Sequence, residues 1–316
     1  MRRTLPLPLL LVALGACASS ERPSAGTAAD TTARAESADT LRTATRVGET
    51  TGFDVPESVV WDPELDVYFV SNINGNPGAA DNNGYIARVQ PDSLATFTRL
   101  VEGGRNGVTL NAPKGMAIEG DTIWVADITV VRGFNKRTGA PVATIELTGQ
   151  RPVFLNDVAL GIDGIYITDT NIRFGADGSI SKPGVDRIFR ISHRRPSVVA
   201  QGDSLASPNG ITWDSAGTRF IVVSFDKGGV MSWRPGDGAP ARIAAGPGQY
   251  DGVEVLGGNR YAVTSWADSG VHLVHDGTER KIASGISGPA DLGVDRKRNL
   301  LLVPHFNDGI VSYWRF

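Results

Sequence analysis

Hydrophobic positions along most of this chain come in short runs separated by Gly, Asp, Asn and Pro, and no stretch spaces them as an amphipathic helix requires. The clearest unit is Ser207 to Phe225, SPNGITWDSAGTRFIVVSF. Ile211 and Trp213 form one run, Phe220 to Val223 form a second, and Asp214, Ser215 and Gly217 supply the turn between them. β-Branched and aromatic residues around such a turn predict strand, tight turn, strand. Variants of the unit start at Pro56, Pro113, Leu155, Tyr250 and Pro289, so it occurs six times.

Each copy is followed by a third apolar run: YIARV, VRGFN, RIFRI, GVMSW, GVHLV and GIVSYW. A fourth run, usually ending in Gly, follows in five copies: TFTRLVEG, VATIELTG, SVVAQG, ARIAAG and RKIASG. The sixth copy lacks it because the sequence ends at Phe316, but TATRVGETTG from Thr43 has the look of the missing strand. Copies starting about 40 to 57 residues apart fit a propeller blade of four antiparallel strands. The expected fold is all-β: a six-bladed β-propeller over residues 43–316, with its last blade closed by the N-terminal strand near Asp308 to Trp314.

The first residues depart from this pattern. Arg2 and Arg3, an apolar core from Leu5 to Leu14 and small residues up to Cys17 read as an export signal over residues 1–16, too short to span a bilayer. Leu14-Gly15-Ala16-Cys17 resembles a bacterial lipobox, which implies lipidation of Cys17, membrane contact through that lipid alone, and an exported lipoprotein on the periplasmic or outer face of the envelope. A simple secretory signal with an incidental cysteine is the alternative. Cys17 is the sole cysteine, so no internal disulfide can form. Residues 17–42 carry almost no large apolar side chain and read as a disordered tether.

The formal net charge of −3 becomes about −5 once Arg2 and Arg3 leave with the signal, and no basic stripe offers itself to phosphates, which argues against nucleic acid. The globular part reads as one domain, expected as a monomer.

Candidate chemistry lies where the six inner strands open toward the central channel. The residues there are Glu57, Lys114, Asn156, Asn209, Asp251 and Asp291. Five of these six carry a carboxylate or amide oxygen, the donor type that Ca²⁺ takes; zinc is disfavoured because His and Cys do not cluster. Asn209-Gly210 and Asp251-Gly252 also read as ordinary turn formers. The same face should carry the loops between second and third strands, long at Asn72 to Gly84 and at Asn171 to Val185. Uneven loops on one face of a rigid ring commonly carry specificity. His305, at the end of the last blade's second strand, falls on this face, where it could transfer a proton or serve as a hydrogen-bonded structural residue.

Glu57, Asn156, Asn209 and Asp251, with gaps of 99, 53 and 42 residues, resemble in order and spacing the senescence-marker/gluconolactonase/regucalcin-like propellers, and more distantly paraoxonase and diisopropylfluorophosphatase. The resemblance covers the domain from Glu57 to its end. It implies one Ca²⁺ held by these four residues at the channel mouth, acting as Lewis acid on an ester, lactone or phosphoester oxygen, with Asp251 as ligand and as general base or nucleophile. Sugar-lactone members commonly place Arg two positions before the blade-three Asn, and this chain has Phe154 there. A rim of Phe154, Trp266, Phe306 and Phe225 suggests a hydrophobic lactone or ester. Lys114 could bind a substrate anion, or turn away to solvent or to a carboxylate such as Asp291. Two functions stay open: a calcium-dependent hydrolase, or a non-catalytic NHL-like propeller binding a protein or glycan.

Overall fold

Phe220 to Val223 shows why the strands of this protein carry consecutive apolar residues. Side chains alternate between the two faces of a strand. Phe220 and Val222 pack toward the preceding blade, while Ile221 and Val223 pack toward the following one. A strand sandwiched between two sheets buries both faces, so its sequence reads as an unbroken apolar run.

The structure is a computed structural model that describes residues 43–175, 179–226 and 229–316. The expected export signal, Cys17 and the tether lie outside the described residues. Six four-stranded antiparallel sheets follow one another around a ring, and the described residues include no α-helix. The inner strands are Pro56–Asp62, Pro113–Glu119, Leu155–Gly161, Pro208–Asp214, Tyr250–Gly257 and the short Gly293–Asp295. Three of them start on proline, which the first position of a strand tolerates because no ladder donor is needed there. The apolar side chains form one cluster between each adjacent pair of blades, so the core is a ring of six interfaces.

The closure is as expected. Thr45–Thr51 pairs antiparallel with Ile310–Arg315, from Thr45 opposite Arg315 to Thr51 opposite Ile310. Buried Thr50 lies 2.6 Å from Tyr313 Oη and donates to the Leu94 carbonyl, tying the closing strand to the first blade. The tight turns between first and second strands leave one face plain. The loop after Asn72 and the loop after Asp169, which contains a small hairpin of Arg173–Phe174 and Ile180–Ser181, rise on the other. They meet, with Gly78 of the first lying against Phe174 of the second.

Candidate functional site

The six channel residues owe their direction to a repeated irregularity. In blades one to five the pairing of inner and second strand shifts register at the channel residue: between Pro56 and Ser58, Pro113 and Met116, Leu155 and Val158, Pro208 and Ile211, and Tyr250 and Val253. A bulge leaves a residue outside the ladder and re-aims its side chain. The freed backbone donors are taken up by hydroxyls of the second strand. Ser58 N–H donates to Ser71 Oγ (2.9 Å), Asp157 N–H to Thr168 Oγ1 (3.0 Å) and Gly252 N–H to Thr264 Oγ1 (2.7 Å).

The glycines beside the channel residues are not turn glycines. A Cβ on Gly115 would sit 2.2 Å from Asp157 Oδ1, one on Gly210 2.5 Å from the Asp251 carbonyl, and one on Gly252 2.5 Å from Leu292 N. These positions lie within strands, and glycine there lets neighbouring inner strands approach around the channel. The ordinary-turn reading of Asn209-Gly210 and Asp251-Gly252 therefore gives way to a packing requirement.

Glu57, Lys114, Asn156, Asn209, Asp251 and Asp291 are all buried. Glu57 Oε2, Asn209 Oδ1 and Asp251 Oδ1 have no hydrogen-bond partner among the described residues. Buried acceptors left unpaired are costly and uncommon in folded proteins, and three of them in one ring call for a counter-group. Asn156 donates through Nδ2 to Thr170 Oγ1 (3.0 Å), so its amide is oriented by a side-chain partner that in turn donates to the Pro208 carbonyl. Burial, reinforced by the charge of Asp251, pushes the Glu57 carboxyl well above its usual range. Burial likewise pushes Asp251 up to about 7, against the hydrogen bond from Trp266. Asp291 rises for the same reason, although it accepts from Ser58 Oγ at 2.6 Å.

Among the described residues no three His, Cys, Asp or Glu side chains assemble as a metal cluster. A cation at this mouth would instead draw on Glu57 and Asp251, which supply two negative charges, and on the amide oxygens of Asn156 and Asn209. Carboxylates mixed with neutral amide oxygens suit a hard cation such as Ca²⁺, and the orphaned atoms fit that role.

Around the ring the expected substrate residues separate into two groups. Lys114 and Phe154 are brought together: the ammonium stands 4.2 Å from the centre of the Phe154 ring and donates to the Ala112 carbonyl (3.0 Å). Lys114 thus turns neither to solvent nor to Asp291. Burial pushes it down to about 8, opposed by the charges of Glu57 and Asp127. Phe174 covers Phe154 from the inserted hairpin, ring centres 5.5 Å apart. Across the mouth Trp266 stands between Phe225 (6.3 Å) and Phe306 (5.3 Å), all three half-buried. Its indole N–H donates to Asp251 Oδ2 (2.7 Å), leaving Oδ1 as the carboxylate's unpaired oxygen.

His305 is not gathered with the ring. Its Nε2 lies 2.8 Å from Ser312 Oγ, which also accepts from Trp314 Nε1, and its Nδ1 lies 3.6 Å from Asp308. The residue is 2% exposed, burial pushes its pKa down, and its described partners all belong to its own blade.

A cavity of about 680 Å³ opens away from this mouth, lined by the far ends of the inner strands, including Trp61, Trp213, half-buried Glu254 and Arg296, and reaching Asp157 and Asp291 at its inner end. The orphaned oxygens belong to the opposite mouth. Its supporting residues, Trp266, Thr168, Thr170 and Thr264, carry no spacing signal that points inward, apart from the recurrence of Ser or Thr near the ends of second strands.

Comparison with known proteins agrees with this architecture. A solved X-ray structure of a candidate gluconolactonase superposes with a TM-score of 0.63 at 16% identity, covering 86% of this chain and 91% of that one. A chain of a nidogen/laminin complex superposes with a TM-score of 0.55 at 19% identity, covering 71% and 76%. Both likenesses speak for the fold. No curated protein matches the sequence. Residues 55–284 match the model of the SMP-30/gluconolactonase/LRE-like region, a span that takes in Glu57, Asn156, Asn209 and Asp251, and the chain belongs to that family.

Proposed function

We propose that this protein is a calcium-dependent hydrolase of apolar lactones or esters, acting at the channel mouth. The observation that carries the reading is the set of unpaired, buried oxygens on Glu57, Asn209 and Asp251, which enter one channel from three blades. The fold alone does not choose between enzyme and binding module, since a nidogen/laminin complex contains the same fold. Family membership points to a lactonase-type reaction.

A divalent cation held by Glu57, Asn156, Asn209 and Asp251 would supply electrophilic polarisation of the substrate's acyl oxygen. The remaining work falls to the chain's own side chains. Asp251 is the group placed to take a proton from attacking water, because its Oδ1 is unpaired at the channel while Oδ2 is held in place. Trp266 holds that carboxyl by one oxygen. Phe225, Trp266 and Phe306 on one side, with Phe174 over Phe154 on the other, offer apolar surface to an acyl or alcohol group and limit water around it. Phe154 stands where sugar-lactone members carry arginine, which favours an apolar substrate over an aldonolactone. The basic start, short apolar core and Cys17 of the sequence favour an enzyme tethered to the cell envelope.

The test is calorimetric calcium titration of the wild type, Asp251→Asn and Asn209→Asp, with hydrolysis of lactones and aryl esters measured alongside. Asp251→Asn removes one of two carboxylate charges and should weaken binding and abolish turnover. Asn209→Asp adds a third and should tighten binding while slowing turnover, because the ion's charge is then more fully offset. Equal affinities in all three proteins would refute the cation site, and the absence of hydrolysis would leave the protein- or glycan-binding propeller as the better account.

A further inference from the structure

The proposed reaction gives no task to two members of the channel ring: Asp291, which accepts from Ser58 Oγ at 2.6 Å, and Lys114. The Lys114 side chain is 1% exposed, yet its described partners are neutral: the Ala112 carbonyl at 3.0 Å and the face of Phe154 at 4.2 Å. Nearby Asp127 is already engaged by Arg132 Nε (2.5 Å) and by the backbone N–H groups of Asn111 and Ala112. A buried ammonium with no ion-pair partner of its own is costly to keep, because desolvation is not repaid by a contact. The ring face of Phe154 offsets part of that cost. Phe154 is itself fixed, its backbone N–H donating to Asp169 Oδ1 at 2.8 Å. The lysine is therefore held at the channel mouth as a charge not committed to any carboxylate. Electrostatically, it and Glu57 act on each other.

We propose that Lys114 is a built-in counter-charge to the ring carboxylates, which holds cation affinity below its maximum and keeps the bound ion electrophilic. This rests on the cation site proposed above. The ligating carboxylates Glu57 and Asp251 offer two negative charges, with buried Asp291 in the same ring, and the ammonium offsets one unit of that charge. A divalent ion on that ring keeps more positive charge for polarising a substrate oxygen than it would without the lysine. When no cation is bound, the same ammonium offsets part of the repulsion between Glu57 and Asp251. The lysine and the cation thus compete for one set of charges, and Lys114 is a positioning and tuning residue that need not touch substrate.

The experiment is calcium titration by calorimetry of the full chain as wild type, Lys114→Met, Lys114→Gln and Asp251→Asn, with thermal melts at zero and saturating calcium and aryl ester hydrolysis at saturating calcium. Methionine preserves the buried stem, and glutamine gives a second, polar route to a neutral side chain should the first variant not fold. The neutral variants should bind calcium more tightly, by at least about 10-fold, as removal of a like charge from the surroundings of a divalent ion predicts. Their calcium-dependent rise in Tm should be larger than that of the wild type, and their turnover slower. If the wild type binds calcium in an Asp251-dependent way while both Lys114 variants bind with equal or lower affinity, the counter-charge role is overturned and the cation site stands. Slower turnover with unchanged affinity would equally overturn it, in favour of a direct part in the reaction. Absence of Asp251-dependent binding in the wild type and in both Lys114 variants would refute the cation site and this inference together. Binding that appears only in the neutral variants would support the inference.

Discussion

Replacing Trp266 by phenylalanine isolates one hydrogen bond at the heart of the proposed site. The indole N–H donates to Asp251 Oδ2 at 2.7 Å, and the ring lies between Phe225 and Phe306. Phenylalanine keeps an aromatic face in that stack and deletes the donor. Asp251 would then carry two unpaired oxygens in a buried position and lose the fixed orientation that turns Oδ1 toward the channel. A hydrogen bond to a charged group contributes about 1.5–3 kcal/mol. If the whole of that serves to hold the carboxylate in its ligating state, calcium affinity falls by roughly 10-fold to 150-fold, since about 1.4 kcal/mol corresponds to tenfold. Calorimetric titration reads this directly, and a double-mutant cycle with Asp251→Asn tells whether the two residues act as a unit. The effect of Trp266→Phe should nearly vanish in the Asp251→Asn background. Unchanged affinity in Trp266→Phe, or a loss that simply adds to that of Asp251→Asn, would refute the view that Trp266 works through this carboxylate.

Three further outcomes follow from the fold and the termini. A chain beginning at residue 52 lacks the strand Thr45–Thr51, exposes the edge of Ile310–Arg315 and should lose about 5 kcal/mol or aggregate, whereas one beginning at residue 42 should melt like the full domain; equal melting of the two would contradict the closure. Buried His272 lies between Asp268 (3.0 Å) and Glu279 (2.8 Å); burial works to lower its pKa, but these partners outweigh it and raise the value above 6.5. Its contribution, on the order of 1–3 kcal/mol, is therefore fully present below about pH 6.5 and lost as pH rises through the folded value, so urea midpoints of the wild type should fall relative to His272→Gln on going from pH 6 to pH 9, and parallel curves would exclude the pairing. Cys17→Ser should move the protein from the membrane fraction to the soluble fraction with Tm unchanged, and a soluble wild type without an acyl chain by mass spectrometry would contradict the anchor.

Much of this molecule can be read from its sequence because a propeller repeats one local problem six times. Strand, turn and strand are set by neighbours in the chain: Asp214, Ser215 and Gly217 favour a reversal, and the unbroken apolar run Phe220 to Val223 fits burial on both faces. Recurrence then fixed the blade count, and the missing strand of the last blade pointed to residues 45–51 as its partner. The order of Glu57, Asn156, Asn209 and Asp251 placed them at one mouth, since each opens an inner strand. Tertiary structure alone decided how these residues are used. Whether an oxygen is paired depends on residues from other strands and blades, so the bond from Trp266 to Asp251, the clasp of Asn156 by Thr170 and the neutral cradle of Lys114 leave no trace in local pattern. The same holds for Gly210, whose sequence context suggests a turn but whose lack of a side chain answers to the Asp251 carbonyl of the next blade. His305 lies on the expected strand end, yet its ring is taken by Ser312 of the adjacent strand. Periodicity fixes which face a side chain leaves from; what it meets there is settled by how strands and blades pack, whatever their separation along the chain.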